Sequence, residues 1–258
     1  METIQYKVEN GIAWISLNRP KVFHSFNRDM ALGLQDAMVK ASDDKEVRVV
    51  VLSADGKAFC AGQDLAEATD PTGPELSRMV KEHYNPMIEK IRACEKPVVA
   101  AVNGVAAGAG ASIALACDIV VATESAAFIQ AFSNIGFIPD SAGTFFLPRL
   151  IGMQKATSLM MLGDKVMAKE AEELGMIYKS FSDETFRDEV TKMATKLANM
   201  PTKGLWLTKK ALNESYNNTL TQQLALEEKL QTEAGLTEDF REGVMAFLEK
   251  RKPEFKGK

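Results

Sequence analysis

The stretch PVVAAVNGVAAGAGASIALACDIVVAT, residues 97–123, limits the fold more than any other part of the chain. Its ends, PVVAAV and DIVVAT, are short apolar runs that read as buried strands. Between them Asn103-Gly104 marks a turn, and a run of alanine, glycine and serine begins a helix near Gly108. A helix so poor in side-chain bulk is suited to close packing on a sheet. Its first N–H groups have no intrahelical acceptors and lie at the positive end of the helix dipole, which also suits an enolate or a phosphate. No Gly-Lys-Ser/Thr follows, so it is not a phosphate loop, and Gly104, Gly108 and Gly110 have the wrong spacing for a dinucleotide fingerprint.

The surrounding sequence fits an α/β fold. TIQYKVE and IAWISLN alternate apolar and polar residues about Asn10-Gly11, which predicts two strands and a tight turn. Asn27 is placed to cap a helix through about Ser42, with Met30, Leu34, Ala37, Met38 and Ala41 on one face. VRVVVLSA reads as a buried strand, and ELSRMVKEHYNPMIEKIRAC as a helix kinked or broken at Pro86. Strands and helices alternate to about Ser180; from about Asp183 to Lys252 the period is helical only. There Leu212, Leu220, Leu224, Leu230 and Phe247 need a surface to bury against, either the α/β core or another subunit.

Charge and cysteine content exclude some function classes. A formal net charge of −4 gives no electrostatic support to nucleic-acid binding. No apolar run is long enough to span a bilayer, and the first residues lack the layout of a signal peptide. Cys60, Cys94 and Cys117 follow no metal spacing and read as reduced thiols, which points to the cytoplasm. His83 lies in a polar helical stretch, read as a solvated face, and His24 lies in a loop without an assigned role. Neither a Ser-His-Asp set nor a metal-ligand cluster is visible.

Two more stretches can carry chemistry. KAFCAGQDL, residues 57–65, follows a buried strand, and Ala61 and Gly62 let backbone N–H groups approach a ligand or simply make a tight turn. In GFIPDSAGT, residues 136–144, Asp140 precedes a helix. It is placed either to cap that helix or, among Phe132, Phe137 and Ile138, to act as a desolvated base.

Together these stretches resemble the crotonase, or enoyl-CoA hydratase/isomerase, family. The likeness rests on NRP at 18–20, KAFCAGQDL at 57–65, KPVVAAVNGVAAGAGASIALACDI at 96–119, GFIPDSAGTFFLPRLIG at 136–152 and REGVMAFLEKRKPEF at 241–255, and it spans the chain. It implies a crotonase-type spiral of ββα turns over residues 1–182, for acyl-CoA binding and catalysis, and a helical trimerisation region over 183–258. It also implies a homotrimer or hexamer that acts on acyl-CoA thioesters and needs no metal or cofactor, coenzyme A being part of the substrate. By motif position the backbone N–H groups of Gln63 and Ala109 form an oxyanion hole. Ala61, Gln63, Asp64, Leu65 and Ala66 fall at the coenzyme A site, with Lys21 and Lys250 as further candidates, and Phe132 and Phe137 as candidates for the acyl site.

Departures from the family's hydratases bear on the reaction. Hydratases of this type carry two glutamates, where this chain has Ser112 and Phe132; Asp140 stands where they usually have glycine. The resemblance therefore implies an isomerase with Asp140 as base. FCAGQDL, DPTGP, YNP, VNGVAAGAGAS, IPD and REGV are similar to the branch of the family in phenylacetate catabolism that converts a ring-epoxidised phenylacetyl thioester to an oxepin. A hydratase of the same pathway is then a candidate partner. The alternatives are a general 3,2-enoyl-CoA isomerase of fatty-acid oxidation, an aryl-CoA dehalogenase and an RNA-binding or non-catalytic homologue.

Overall fold

Asn10 and Gly11 both take left-handed φ values, +52° and +76°. That is the backbone of a two-residue hairpin turn, and it folds β1 (Ile4–Glu9) antiparallel onto β2 (Ile12–Leu17). The computed structural model describes residues 2–258. Asn27 caps α1 (Arg28–Asp43), its Oδ1 accepting from Met30 N at 3.1 Å, and Met30, Leu34, Ala37, Met38 and Ala41 are all buried as their spacing predicts.

The chain then repeats one movement. β3 (Val49–Ala54) is followed by β4 (Ala58–Cys60), and two one-turn helices, α2 (Leu65–Ala68) and α3 (Leu76–Met79), lead to α4 (Asn85–Ala93). β5 (Val98–Val102), β6 (Val105–Ala107) and α5 (Ala109–Leu115) make the next turn of the spiral. The third is β7 (Ile119–Thr123), β8 (Ala127–Ile129), α6 (Gly143–Ile151) and α7 (Met153–Leu162). β9 (Lys165–Met167), α8 (Ala168–Glu173) and β10 (Lys179–Phe181) close it. The first strand of each turn joins a six-stranded sheet, order β1-β2-β3-β5-β7-β10, and the second a four-stranded sheet, order β4-β6-β8-β9. Beyond the β1–β2 hairpin the large sheet is parallel. This is the ββα spiral that the resemblance implies.

Alternate residues of the large sheet face two cores. Val50, Leu52, Val98, Ala100 and Val102 pack toward α1, α4 and α5. Val49, Val51, Val99, Ala101 and Val121 pack against Phe186, Val190, Ala194 and Ala198 of α9 (Phe186–Ala198). α10 (Thr202–Ser215), α11 (Leu220–Gly235) and α12 (Glu238–Glu249) follow without a strand. A buried ion cluster anchors α10: Lys209 Nζ lies 2.8 Å from Asp118 Oδ2 and donates to Ile91 O, while Arg92 pairs with Asp118 Oδ1 at 3.1 Å. Of the expected C-terminal stripe only Leu230 is buried; Leu212, Leu220, Leu224 and Phe247 are exposed, Phe247 by 84%.

Pro86 does not break its helix, which runs on through a local distortion. It lies in the first turn of α4, and ahead of it the chain widens into a π-helical turn, Val80–Tyr84, with Asn85 N bonding Val80 O. Proline has no N–H for the carbonyl four residues back. The buried Gln35 supplies the missing donor: its Nε2 bonds Glu82 O at 2.8 Å and His83 O at 3.0 Å. The wide turn sends both His83 and Tyr84 inward, so His83, expected on a solvated face, is buried.

Two turns of the spiral touch through glycine. A methyl group on Gly110 would stand 2.5 Å from Cys60 O and 2.8 Å from Cys60 Sγ. Gly110→Ala must therefore push α5 away from β4, at a cost of about 1–3 kcal/mol of unfolding free energy. The expected result is a lower urea midpoint with unchanged slope; an unchanged midpoint would show that the two elements separate freely.

Candidate active site

The end of β4 and the start of α5 place two free N–H groups side by side. Gln63 forms a parallel bridge with Phe26, in which Phe26 N donates to Gly62 O at 2.6 Å and Asp64 N to Phe26 O at 2.8 Å. In that pattern the N–H of Gln63 itself points away from Phe26. Gly62 takes φ +93°, and a methyl group on it would lie 3.0 Å from Ala107 O and 3.5 Å from Ala109 N, so the two segments are in backbone contact. Ala109 is the first residue of α5, where an N–H has no helical acceptor. Among the described residues neither the Gln63 nor the Ala109 N–H has a protein acceptor. Two adjacent unpaired donors are the arrangement that holds an oxyanion.

Phe132 roofs this corner. It is buried in a 3₁₀ turn, Ala131–Ile135, and its ring lies 3.8 Å from where a methyl group on Gly108 would stand. Ser112, one helical turn beyond Gly108, is fully buried, and its hydroxyl and Gln130 Oε1 have no partner among the described residues. Both flank Gly143, at 2.7 Å and 3.6 Å from the same kind of test position, with Pro139 Cβ at 3.4 Å. The Pro139–Gly143 turn thus packs against Ser112 of α5, and Asp140 lies within that turn.

Asp140 does not cap α6. The N-cap residue is Ala142, at φ +59°, and the Asp140 carboxylate accepts from Ser141 Oγ at 2.9 Å. Burial raises its pKa above the ordinary carboxylate value, and the bonds from Ser141 and from its own N–H offset only part of that. It faces Tyr84: after burial itself, the charge of Asp140 is the largest cause holding the Tyr84 phenol well above its usual pKa. Cys60, nearby, is no nucleophile, because burial pushes its thiol up to about 12. No carboxylate–cysteine–histidine group fit to hold a metal occurs among the described residues.

Sequence reasoning missed a polar network beneath the hole. Tyr84 OH donates to Gln63 Oε1, and Gln63 Nε2 donates to Glu67 Oε2 at 3.1 Å. Glu67 Oε1 accepts from Arg28 N at 2.9 Å, and Arg28 Nη1 reaches Glu82 at 2.7 Å and His83 Nε2 at 3.2 Å. Its one signal in the sequence is Pro86, whose disruption of the helix turns Tyr84 inward. His24 is also structural, its ring bonded to Arg19 N and Asp55 O.

The remaining candidates divide by place. Asp64 caps α2 through Ala66 N at 3.0 Å and pairs with Arg19 at 2.8 Å. Ala61, Leu65 and Ala66 are exposed at the outer lip of the same loop. Lys21 is exposed on the 3₁₀ turn Pro20–Val22, whose next residue, Phe23, accepts from Ala61 N at 3.0 Å. Phe137 is 46% exposed and only its backbone joins Phe132, so the chain brings Phe132 into the site and leaves Phe137 at its edge. Lys250 sits at the end of α12, which packs on α11, and none of its own hydrogen bonds carries it to residues 61–66. An apolar groove of about 510 Å³ lies there too, lined by Pro201, Ala234, Phe240, Phe247 and Phe255 among others, and holds no residue of the oxyanion corner. No helix is long and apolar enough to cross a membrane among the described residues.

Comparison with known proteins gives the family. The sequence pattern of the family Enoyl-CoA hydratase/isomerase matches residues 7–258. The chain is similar to the 1,2-epoxyphenylacetyl-CoA isomerase of Escherichia coli, 46% identical with all of both chains covered. It is 44% identical to a protein of Rhodobacter capsulatus named "Probable enoyl-CoA hydratase", over 99% of this chain and 98% of the other. Among solved structures, an enoyl-CoA hydratase from Polaromonas superposes with a TM-score of 0.92 at 34% identity, covering 98% of this chain and 99% of that one.

The raised pKa of Asp140 has two measurable consequences. Its folded value exceeds that of an unfolded aspartate, so the native state holds more protons in between, and stability falls as pH rises through that window. Asp140→Asn should accordingly melt higher than the wild type at neutral pH, with the gap closing below the unfolded pKa. Activity that needs the carboxylate should fall on acidification at a pH above the ordinary aspartate range. Equal melting temperatures across the pH range would show that the carboxylate is fully solvated.

Proposed function

Since this chain belongs to the enoyl-CoA hydratase/isomerase family, we propose that it is an acyl-CoA isomerase with Asp140 as its base. The observation that carries it is a desolvated carboxylate, Asp140, in the turn that packs on α5, whose first N–H is one of two unpaired donors; by the family resemblance Ser112 and Phe132 stand at the positions of the hydratase glutamates. Water addition requires groups that hold and activate a water, and a buried phenyl ring excludes one.

The steps follow from the geometry. The thioester oxygen accepts from the Gln63 and Ala109 N–H groups, which acidifies the adjacent carbon. One such donor is worth about 2.7–4 kcal/mol in the transition state. Asp140 removes the α proton, and the enolate charge rests on the oxygen in the hole. The same carboxyl returns the proton to a carbon two atoms along, moving the double bond. Its raised pKa serves both directions of transfer. No atom is gained or lost, so the reaction needs no redox partner, and coenzyme A enters as part of the substrate.

The preferred substrate in this reading is ring-1,2-epoxyphenylacetyl-CoA. The epoxide opens by cleavage of its carbon–carbon bond to a seven-membered oxepin, and the proton shift from the α carbon to the ring fixes the product. Similarity to the Escherichia coli isomerase supports it, as does the aromatic ring of Phe132 beside Gly108. The same machinery shifts 3-enoyl-CoA to 2-enoyl-CoA. The protein works in the cytoplasm as a trimer or hexamer, with a family hydratase of the same pathway as a further partner. Coenzyme A lies along residues 61–66, and a neighbouring copy brings Lys250 to it.

Product analysis by NMR and mass spectrometry tests the reaction. Wild-type protein should give the oxepin from the ring epoxide and the 2-enoyl isomer from 3-enoyl-CoA, with no 3-hydroxyacyl-CoA from 2-enoyl-CoA. Asp140→Asn should lose about 10²–10⁴-fold in turnover while still binding acyl-CoA. Near-wild-type turnover in that variant, or efficient hydration by the wild type, would overturn the reading.

Light scattering tests the assembly. Exposed Leu212, Leu220, Leu224 and Phe247 in the helical region lead us to expect three or six times the chain mass at micromolar concentration. A monomer at that concentration would contradict it.

A further inference from the structure

We propose that Tyr84 is a positioning residue of the oxyanion hole: its hydroxyl holds the side-chain amide of Gln63 and so aims the Gln63 N–H. The inference rests on the isomerase reading above.

The peptide unit that ends in Gln63 N is held through one atom, Gly62 O, which accepts from Phe26 N at 2.6 Å and, more distantly, from the Cys60 thiol at 4.0 Å. Bonds to that one atom leave the unit able to tilt about it, and Gly62, at φ +93° without a side chain, resists such a tilt poorly. A second point of attachment is needed to fix the direction of an N–H that makes no bond of its own. The Gln63 side chain provides it. Its amide oxygen accepts from Tyr84 OH and its amide nitrogen donates to Glu67, which is bonded in turn to Arg28 N at the start of α1. Both ends of the amide are therefore tied to separate elements of the fold.

Tyr84 is suited to this and not to packing alone. Its ring meets Phe26 edge to face at 6.2 Å, a contact that phenylalanine would make equally well. The hydroxyl adds a buried polar pair, which is costly unless the bond is made. Burial, and after it the charge of Asp140, holds the phenol's pKa up, so it stays a donor to Gln63. The carboxylate is itself bonded to Ser141, which leaves it available as base.

The test is a double-mutant cycle on isomerisation of 3-enoyl-CoA. Tyr84→Phe should lower kcat about ten- to a hundredfold with KM nearly unchanged, the size of effect expected from slight misplacement of a catalytic group. Gln63→Met, which breaks the same bond from the loop side, should lose a similar amount, and the double variant should lose little more than either. A bound arylacryloyl-CoA reports carbonyl polarisation by its red shift, which should shrink in both single variants. If Tyr84→Phe fails to fold, Gln63→Met carries the same readouts. An unchanged kcat and red shift in the variants would overturn the inference, as would a full Tyr84→Phe loss in the Gln63→Met background, which would mean that Tyr84 touches substrate directly. Absence of isomerisation by the wild type would instead overturn the isomerase reading.

Discussion

Everything at the candidate site depends on how closely successive turns of the spiral approach each other. Gly110 lies so close to Cys60 that a Cβ has no room, and Gly62 lies against Ala107 and Ala109, where a Cβ would stand a tight 3.0 Å from Ala107 O and 3.5 Å from Ala109 N. The approach brings an N–H from the end of one turn beside an N–H from the start of the next. Both are left without acceptors because the neighbouring groups have taken the available bonds. Gly62 O and Asp64 N are paired with Phe26, and Gly108 N with Ile129 O. The pair of free donors is therefore a by-product of backbone pairing, and the side chains of Gln63 and Ala109 do not form it.

The electrostatics of the corner work in one direction. Two N–H dipoles attract negative charge, while burial and the neighbouring ring of Phe132 make a carboxylate costly. Asp64 and Glu67 lie close by but are committed, the first to Arg19 and the cap of α2, the second to Arg28 N and Gln63. Asp64 has a cationic partner and Glu67 accepts two neutral N–H bonds, whereas Asp140 accepts only from Ser141 and its own N–H, so burial dominates and its pKa rises. A carboxylate so placed is a poor contributor to stability and a good proton acceptor. That opposition is expected where function sets the residue.

The sequence disclosed what local chemistry decides. The Asn10-Gly11 turn, the Asn27 cap, the buried face of α1 and the change to helices near Asp183 all follow from side-chain type and period. The Gly110 contact was half legible, since small residues announce close approach without naming the neighbour. Tertiary demands hid the rest. Asp140 reads as a cap because it precedes a helix, but Ser141 and Ala142 at φ +51° and +59° intervene and turn the carboxylate away. His83 reads as solvated because its neighbours in sequence are polar. Only the π-helical turn forced by Pro86, and the distant Gln35 that satisfies its carbonyls, carry His83 and Tyr84 inside. A role for the Gln63 side chain was invisible, because its partners lie 21 and 4 residues away on different elements.

The C-terminal helices show a different balance. Their polar contacts are satisfied within the chain: buried Asp239 accepts from Lys256 N at 2.6 Å and Gly257 N at 2.7 Å, and Arg48 ties Thr202, Met200 O and Phe255 O together. These bonds fix the return of the last residues and the direction of α12. The apolar contacts are not satisfied, since Phe240, Val244, Phe247 and Leu248 stay exposed along the groove they share with Pro201 and Phe255. Polar bonds specify geometry, and apolar burial supplies most of the free energy. A region with its polar bonds made and its apolar face open is oriented but incompletely stabilised. That is the condition expected of a surface that packs against another copy of the chain, as the proposed trimer or hexamer would supply.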